Sequence, residues 1–451
     1  MAAGRRNIRP LAAATAAVLA LGMGAGAAAA SSSSGSPETA FGHHGTVALG
    51  SGTRLFGVAS ESNGKIIAVG ESGAGRNVRL LLARFNASGS LDRSFGHGGL
   101  VQGPAVPTQL GRGSLGRAVA VEPNGKIVVV GKATSADGSA RDGLLVERFD
   151  ANGTLDRSFG SGGVVNLEVA SFGDGYAVAL EPGGRIVATG SVNAAGTGGG
   201  VYPRVLVAAL NSNGSLDRSF AGHGIDVLDL GPFSYALAVA VQRGGKIAIA
   251  GSQSPNLQAT YGLVARLTAS GALDPSFDGR GYYTRQYARQ AAFSGFDAIA
   301  IEPNGDILAG GSATSGTSQA DAIVARFTAA GRPDGSWGSG GVAYLPSAVA
   351  YLSNGSSPPG VTGLVPGAGG ELFAGGTSSN GLASTATLWA LTSRGKLEGG
   401  FGSRGGAHVV SGSDTEAAAV TSGANGSVIL AGDSSRIGGA YAGLLASFRA
   451  G

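Results

Sequence analysis

Short runs of β-branched and aliphatic residues recur along the chain, broken by Gly, Pro, Asn and Ser, and none of them carries the three-and-four spacing of an amphipathic helix. In Val119-Ala-Val-Glu-Pro-Asn-Gly-Lys-Ile-Val-Val-Val-Gly131 apolar β-formers flank Asn124-Gly125, the pattern of a hairpin. Equivalent turns stand at Asn63-Gly64, Gly183-Gly184, Gly244-Gly245, Asn304-Gly305, Gly369-Gly370 and Asn425-Gly426, each before an apolar run that ends in Gly. From the residue after one turn to the next the spacings are 61, 59, 61, 60, 65 and 56, a repeat of about sixty residues. Glycine at the second turn position supplies the positive φ of a type I′ turn, which the strand twist favours.

After a polar loop, each copy continues with a third strand (Leu144-Leu-Val-Glu-Arg-Phe149 in the second) and then Leu155-Asp-Arg-Ser-Phe-Gly-Ser-Gly-Gly-Val-Val165, a turn leading into a fourth strand. That ending places an aromatic in every copy: Phe41, Phe95, Phe159, Phe220, Phe277, Trp337 and Phe401. Four residues later there is always Gly, which points to positive φ or a close strand approach at a bulge. Three residues before each aromatic stands an acid (Glu38, Asp92, Asp156, Asp217, Asp274, Asp334, Glu398). With Ser two residues on, an acid here suits an Asx-turn better than a ring of catalytic or metal-binding carboxylates.

Four short strands per repeat, seven times over, predict an all-β fold: a seven-bladed β-propeller of four-stranded antiparallel blades. Its ends are complementary, because the first copy has only the fourth strand (around Phe41 to Leu49) while the last stops after its third (Leu444-Leu-Ala-Ser-Phe448). The N-terminal strand is therefore expected to close the ring and remove its free sheet edges.

The strings Glu122-Pro-Asn-Gly-Lys-Ile-Val-Val-Val-Gly131 and Leu155-Asp-Arg-Ser-Phe-Gly-Ser-Gly-Gly-Val164 resemble the consensus of the delta-60 repeat family of secreted bacterial proteins, and the layout is similar to NHL-type propeller blades. The resemblance covers nearly all of residues 37–451 and is strongest in the first five copies. It fades in the last two, where Glu371 and Ser427 replace the basic residue after the turn and Gly399-Gly400 stand in the acid-to-aromatic segment. It implies a propeller and brings no catalytic motif.

Residues 1–30 have the build of a signal peptide: Arg5, Arg6 and Arg9, an Ala/Leu-rich stretch from Leu11, and small residues from Ala27 to Ala30. A Ser/Gly-rich linker over 31–37 and the propeller over 38–451 complete the expected organisation, with a secreted or extracytoplasmic location and no membrane insertion after cleavage. Arg5-Arg6 permits the twin-arginine route, although Arg9-Pro10 departs from its usual apolar continuation. There is no Cys, so neither lipidation nor a disulfide contributes. The formal charge of +4 falls to +1 without the three leader arginines, which argues against a nucleic-acid partner.

The five histidines (His43, His44, His97, His223, His408) follow the aromatic position of four repeats, on separated outer strands that do not converge as metal ligands must. No catalytic, cofactor or metal residue is expected, and a monomer is. Candidate ligand-binding residues are the charged and aromatic exceptions in the Gly/Ser-rich loops: Arg112 in 102–117, Arg285, Tyr287 and Arg289 in 284–297, and Asp174 and Asp297 just before first strands, where with Glu416 they face one mouth of the channel. The function these features favour is a non-enzymatic binding or interaction scaffold for a protein or carbohydrate ligand at the cell surface. The alternative is an extracellular hydrolase or lyase with its site at the channel mouth.

Overall fold

A computed structural model describes residues 34–73, 78–103, 111–135, 143–169, 173–195, 200–287, 293–315, 319–347, 360–379, 383–412, 414–435 and 440–450. Its strands form seven four-stranded antiparallel sheets. In blade 2 these are Gly111–Val121, Ile127–Ser135, Gly143–Phe149 and Val164–Leu167, hydrogen-bonded in that order. The first strands of the blades are Thr53–Ser60, Gly111–Val121, Gly173–Leu180, Phe233–Val241, Ser294–Ile301, Gly360–Pro366 and Asp414–Ser422, and each touches the first strand of the next blade around the hub. Blade 7 is completed by Thr46–Ser51, which pairs with Ala442–Arg449 in the register Thr46 to Ala446, Val47 to Leu445 and Ala48 to Leu444. Ring closure by the N-terminal strand is thus observed, and Ser34 to Pro37, expected to be linker, joins it: Gly35 N–H donates to the Arg449 carbonyl and Pro37 bridges to Phe448.

The apolar runs are unbroken because both faces of each blade are covered by a neighbour. In Ile127-Val-Val-Val130, Ile127 and Val129 pack with Phe149 against blade 1 (Ile67, Val69, Leu82), while Val128 and Val130 pack with Val146 against blade 3 (Ile186, Ala188, Leu206).

The turn after the first strand departs from the expected type I′ form. Gly125 N–H donates to the Glu122 carbonyl at 2.8 Å and Glu122 N–H to the Lys126 carbonyl at 2.8 Å, giving a three-residue loop. Only Gly125 (φ 84°), and not Asn124, has positive φ. Pro123 at the first turn position holds φ negative, which excludes type I′ and selects a type I turn followed by a bulged glycine. Asn124 Oδ1 caps Lys126 N–H at 2.9 Å.

The repeated aromatics are the joints between blades. Phe159 is fully buried, worth roughly 2–3 kcal/mol, and lies under Gly214 of blade 3, where a Cβ would come within 3.0 Å of its ring. Beside each aromatic one backbone hydrogen bond crosses to the next blade, among them Gly96 N–H to Asn152 O (2.9 Å), Gly160 to Asn213 (2.8 Å) and Gly338 to Arg394 (2.8 Å). At the seam the same bond runs from Gly402 N–H to Ser34 O at 2.9 Å.

The repeated acids make the expected Asx-turns: Asp156 Oδ1 accepts from Ser158 N–H at 3.0 Å and Ser158 Oγ at 2.6 Å, and Asp92, Asp217, Asp274 and Asp334 do the same with Ser94, Ser219, Ser276 and Ser336. Their second oxygen serves an ion cluster that the repeat pattern does not announce. Asp156 Oδ2 binds Lys126 Nζ (2.6 Å) and Arg148 Nε (2.7 Å), and the Arg148 guanidinium lies 4.6 Å from the Phe159 ring centroid and donates to the Ser212 carbonyl of blade 3. Arg84 and Arg266 repeat this bridge. In blade 3 the equivalent position is Ala209, and Arg185 from the Lys126 position fills in, pairing with Asp217 (2.9 Å) and reaching the Ala269 carbonyl (2.9 Å). Blades 6 and 7 have Ala390 and Ser447 instead, so the cluster lapses there.

Candidate functional site at the hub

Every first strand carries a bulge, and the glycine that ends each second-strand run causes it. A Cβ on Gly131 would lie 1.7 Å from the Leu115 carbonyl oxygen, and Gly70, Gly190, Gly251, Gly311, Gly376 and Gly432 are equally confined by the facing carbonyl. Opposite that glycine the register slips by one residue, which leaves one residue of the first strand without a ladder partner. The seven unladdered residues are Phe56, Arg117, Tyr176, Leu237, Asp297, Thr362 and Ala418. Each is followed by Gly or Ala, yet the bulged position itself is a different amino acid in every blade. Packing requirements repeat with the blade, so a position that never repeats is free for another use.

These side chains meet across blade boundaries at the hub. The Arg117 guanidinium stacks on the Phe56 ring at 5.0 Å. Tyr176 and Leu237 pack together with Tyr235. Thr362 Oγ1 donates to the Ala417 carbonyl at 3.1 Å. On the long-loop side a second tier follows, from the residue two before each bulge and its partner on the second strand. Arg54 Nε pairs with Asp433 at 2.5 Å and its guanidinium lies over the Tyr441 ring at 4.3 Å. Lys132 Nζ is 3.3 Å from Asp174, which accepts the Tyr176 hydroxyl at 3.2 Å. Glu71 sits between Arg54 and Arg117, Ser252 stands opposite Tyr235, and blades 5 and 6 offer only Gly295, Ser312, Gly360 and Thr377. This tier is therefore lopsided: charged and aromatic from blade 7 round to blade 4, small on blades 5 and 6.

Burial sets the protonation of this tier. It raises the carboxyls of Glu71 and Asp433, against the pull of Arg54. It also raises the Tyr176 phenol, helped by Asp174, and pushes Tyr235 up to about 12, helped by Asp297. Asp297 is 7 % exposed, has no hydrogen-bond partner among the described residues, and is raised by burial to about 7.

The sequence candidates divide. Asp174, Asp297 and Glu416 do lie on first strands at the hub. Tyr287 is not an exposed loop residue: it is 6 % exposed and packs edge-on against Phe296 at 5.3 Å, because a ring of that size gains more from the core than from solvent. Arg285 is exposed at the end of the outer strand Tyr282–Arg285, away from the hub, and stacks on Tyr287 at 5.3 Å. Arg112 falls within the first strand Gly111–Val121, so residues from 111 onward in the segment 102–117 are strand and not loop. Arg289 and the leader 1–30 lie outside the described residues. Phe56, Arg117, Tyr176 and Leu237 carry no repeat signal, and aligning the repeats places them in one column that differs in every blade.

The histidines are spread over four blades: the neighbours His43 and His44 meet edge to face at 4.4 Å, and His408, whose pKa is lowered by burial, bonds Thr387 at 3.0 Å. Among the described residues no three of His, Cys, Asp or Glu gather as a metal would require, and no helix is long and apolar enough to cross a membrane.

Comparison with known proteins returns the same repeat. Residues 61–95, 122–159, 242–277 and 302–336 match the family model "Domain of unknown function (DUF5122) beta-propeller". The chain is a repeat β-propeller. The matched stretches are those of blades 1, 2, 4 and 5, four of the blades that carry the ion cluster. No curated protein matches. Among solved structures it is similar to a glucose dehydrogenase (16 % identity, TM-score 0.39, covering 73 % of this chain and 94 % of that one). It is also similar to Sqt1 from Chaetomium thermophilum (12 %, 0.42, 89 % and 98 %) and to the polysaccharide lyase Uly1 (10 %, 0.47, 88 % and 90 %). Superpositions this loose carry no argument about activity, and the fold rests on the strand pairing itself.

Proposed function

We propose that this propeller is an exported, non-enzymatic binding protein whose ligand sits in the hub mouth on the long-loop side. The propeller fold supports a binding or scaffold role. The observation that carries the hub assignment is the bulge column, because a position preceding a recurrent Gly or Ala presents seven different side chains around a common axis. The leader-like residues 1–30 support export, and a mature protein beginning after Ala30 is the expected secreted form.

An array of cell-surface glycans and peptides, probed with the parent protein, with Arg117→Gln/Asp297→Asn and with the rim variant Arg285→Ala, tests this. Ligands lost by the hub double variant and kept by the rim variant support it; retention by the hub variant overturns it. A second reading, an extracellular hydrolase or lyase, is favoured by one observation: Asp297, titrating near neutrality beside the Tyr235 phenol, could exchange a proton with a bound substrate. Release of shorter products from a captured polymer, abolished by Asp297→Asn, would replace binding with turnover.

A further inference from the structure

The turns on the side opposite the long loops carry cations that the blades do not use. In blades 1, 2 and 3 the residue between the Asx-turn acid and its serine is Arg93, Arg157 and Arg218. Pro275 and Gly335 take that place in blades 4 and 5, yet Arg243, Arg332 and Arg394 put a cation on the short turns of blades 4, 5 and 6. All six side chains are exposed, and none makes a hydrogen bond or ion pair among the described residues. The cations of the layer beneath, Arg148 and Lys126 among them, are taken up by the ion clusters. Exposed acids without a partner on this face are Glu371 and Glu398, both in blade 6. The small net charge of the chain therefore conceals one positive side.

Blade turns are the ends of the sheets, so arginines at the turns of successive blades lie around one side of the ring and not in a cleft. Guanidinium groups spread in this way can each pair with a phosphate that belongs to a layer of them. The exposed large apolar residues Val169, Val201, Leu257, Val410 and Tyr441 belong to the long-loop side, and Tyr344 to the outer strand of blade 5. The short-turn face thus has charge without an apolar anchor, which suits adsorption and not insertion.

The entry point of the chain indicates what covers it. Ser34 lies on this face, where its carbonyl accepts from Gly402 N–H beside exposed Arg404. Only Ser31, Ser32 and Ser33 separate it from Ala30, where the leader-like stretch ends, and that step spans at most about 14 Å when extended. A chain whose leader is held in a bilayer therefore brings this side of the ring, and not the hub mouth, to the lipid surface.

We propose that the short-turn face is a peripheral docking surface for an anionic phospholipid bilayer. Arg93, Arg157, Arg218, Arg243, Arg332 and Arg394 meet the lipid phosphates, and the long-loop mouth is turned away from the membrane.

The test mixes the mature chain, residues 31–451, with vesicles of phosphatidylcholine alone or with an equal part of phosphatidylglycerol, and measures bound protein by sedimentation. Binding is expected on the mixed vesicles and not on the neutral ones, and should fall at least about tenfold between about 50 and about 200 mM NaCl. Arg93→Glu/Arg157→Glu/Arg218→Glu should weaken it at least about tenfold. Arg79→Glu/Arg285→Glu, at exposed arginines on the long-loop side, should leave it within about twofold. Orientation gives a readout that needs no charge change. The chain has no Cys, so a single dye can be placed by Gly335→Cys on the short-turn face or by Gly50→Cys on the opposite side, where a side chain meets open space in both cases. Lipids with a quencher in the headgroup should dim the first dye and spare the second. Equal binding to neutral and anionic vesicles, retention by the triple variant, or quenching of the dye at position 50 overturns the proposal. Soluble poly(glycerol phosphate) that binds as tightly as the mixed vesicles would overturn the bilayer as occupant and put a free polyanion in its place.

Discussion

Glu147 gives the sharpest stability prediction. It lies in the third strand of blade 2, directly opposite Val129 and Val164, on the face turned to blade 1. Its side chain is 0 % exposed and neither oxygen has a hydrogen-bond partner. The equivalent residue is Ala83, Ala208, Ala265, Ala325 or Ala446 in five other blades and Trp389 in the sixth. Burial alone raises the carboxyl to about 8, from an ordinary 4.5. The folded protein therefore keeps this proton while the unfolded chain releases it above pH 4.5, so stability is full below that pH and declines as pH rises towards 8. At ~1.4 kcal/mol per unit the gap reaches about 5 kcal/mol at pH 8 and above, a ceiling that water entry reduces. Glu147→Ala should be within about 1 kcal/mol of the parent at pH 4.5, where lost packing offsets relief of the unpaired oxygens, and more stable by about 3–5 kcal/mol at pH 8.5. Urea unfolding at constant ionic strength from pH 4.5 to 8.5 measures this, and the difference between the two proteins cancels other titrating groups such as Asp297. Parallel profiles for parent and variant across that range would refute the argument that an uncompensated carboxyl is buried between blades 1 and 2.

Other outcomes follow from the same packing. Arg148→Met should cost about 1–3 kcal/mol in a urea melt, since it leaves Asp156 with Lys126 as its one cation and cuts the link to Ser212; no loss would mean the bridge to blade 3 is idle. Below pH 4 the parent should lose further stability, because Lys126 and Ser158, outweighing the cost of burial, hold Asp156 well below the carboxylate range, and Lys65 and Ser94 do so for Asp92; a flat acid limb contradicts this. Gly125→Val forces a β-branched residue to φ 84° and should cost about 1–3 kcal/mol, whereas Gly335→Val, in open space without positive φ, should be near neutral by thermal melt. Deleting residues 31–50 strips the partner from Ala442–Arg449 and should lower Tm by about 5 °C or more, or cause aggregation; an unchanged melting curve would speak against the closure.

The architecture was legible because its causes are local and repeated. The glycine after Asn124 and the aromatic at Phe159 recur in all seven copies and the Asp156–Ser158 pair in five, and the complementary ends point to the closure. Pro123 was also visible and should have excluded the type I′ turn at once. The ion cluster was harder, since Arg185 doing the work of an arginine at Ala209 joins positions that are far apart in the repeat and near only in the folded blade. Hub residues such as Arg117 and Tyr176 carry no repeat signal for the opposite reason, since the bulge position differs in every blade. Tyr287 misled because an aromatic beside two arginines reads as a binding loop when its burial comes from Phe296, a neighbour the linear pattern cannot reveal.

The seam in blade 7 sets an order on assembly. Ribosomes deliver Thr46–Ser51 first and its partner Ala442–Arg449 roughly four hundred residues later, so the earliest strand waits, unpaired, while six blades are made. During that interval the growing arc has two raw edges, and the side chains that later gather round one axis have no axis to gather round. Only when Gly402 finds Ser34 does the seventh joint form. A cut within the first eighteen described residues, or loss of Ala442–Arg449, therefore yields the same product, an arc without a hub.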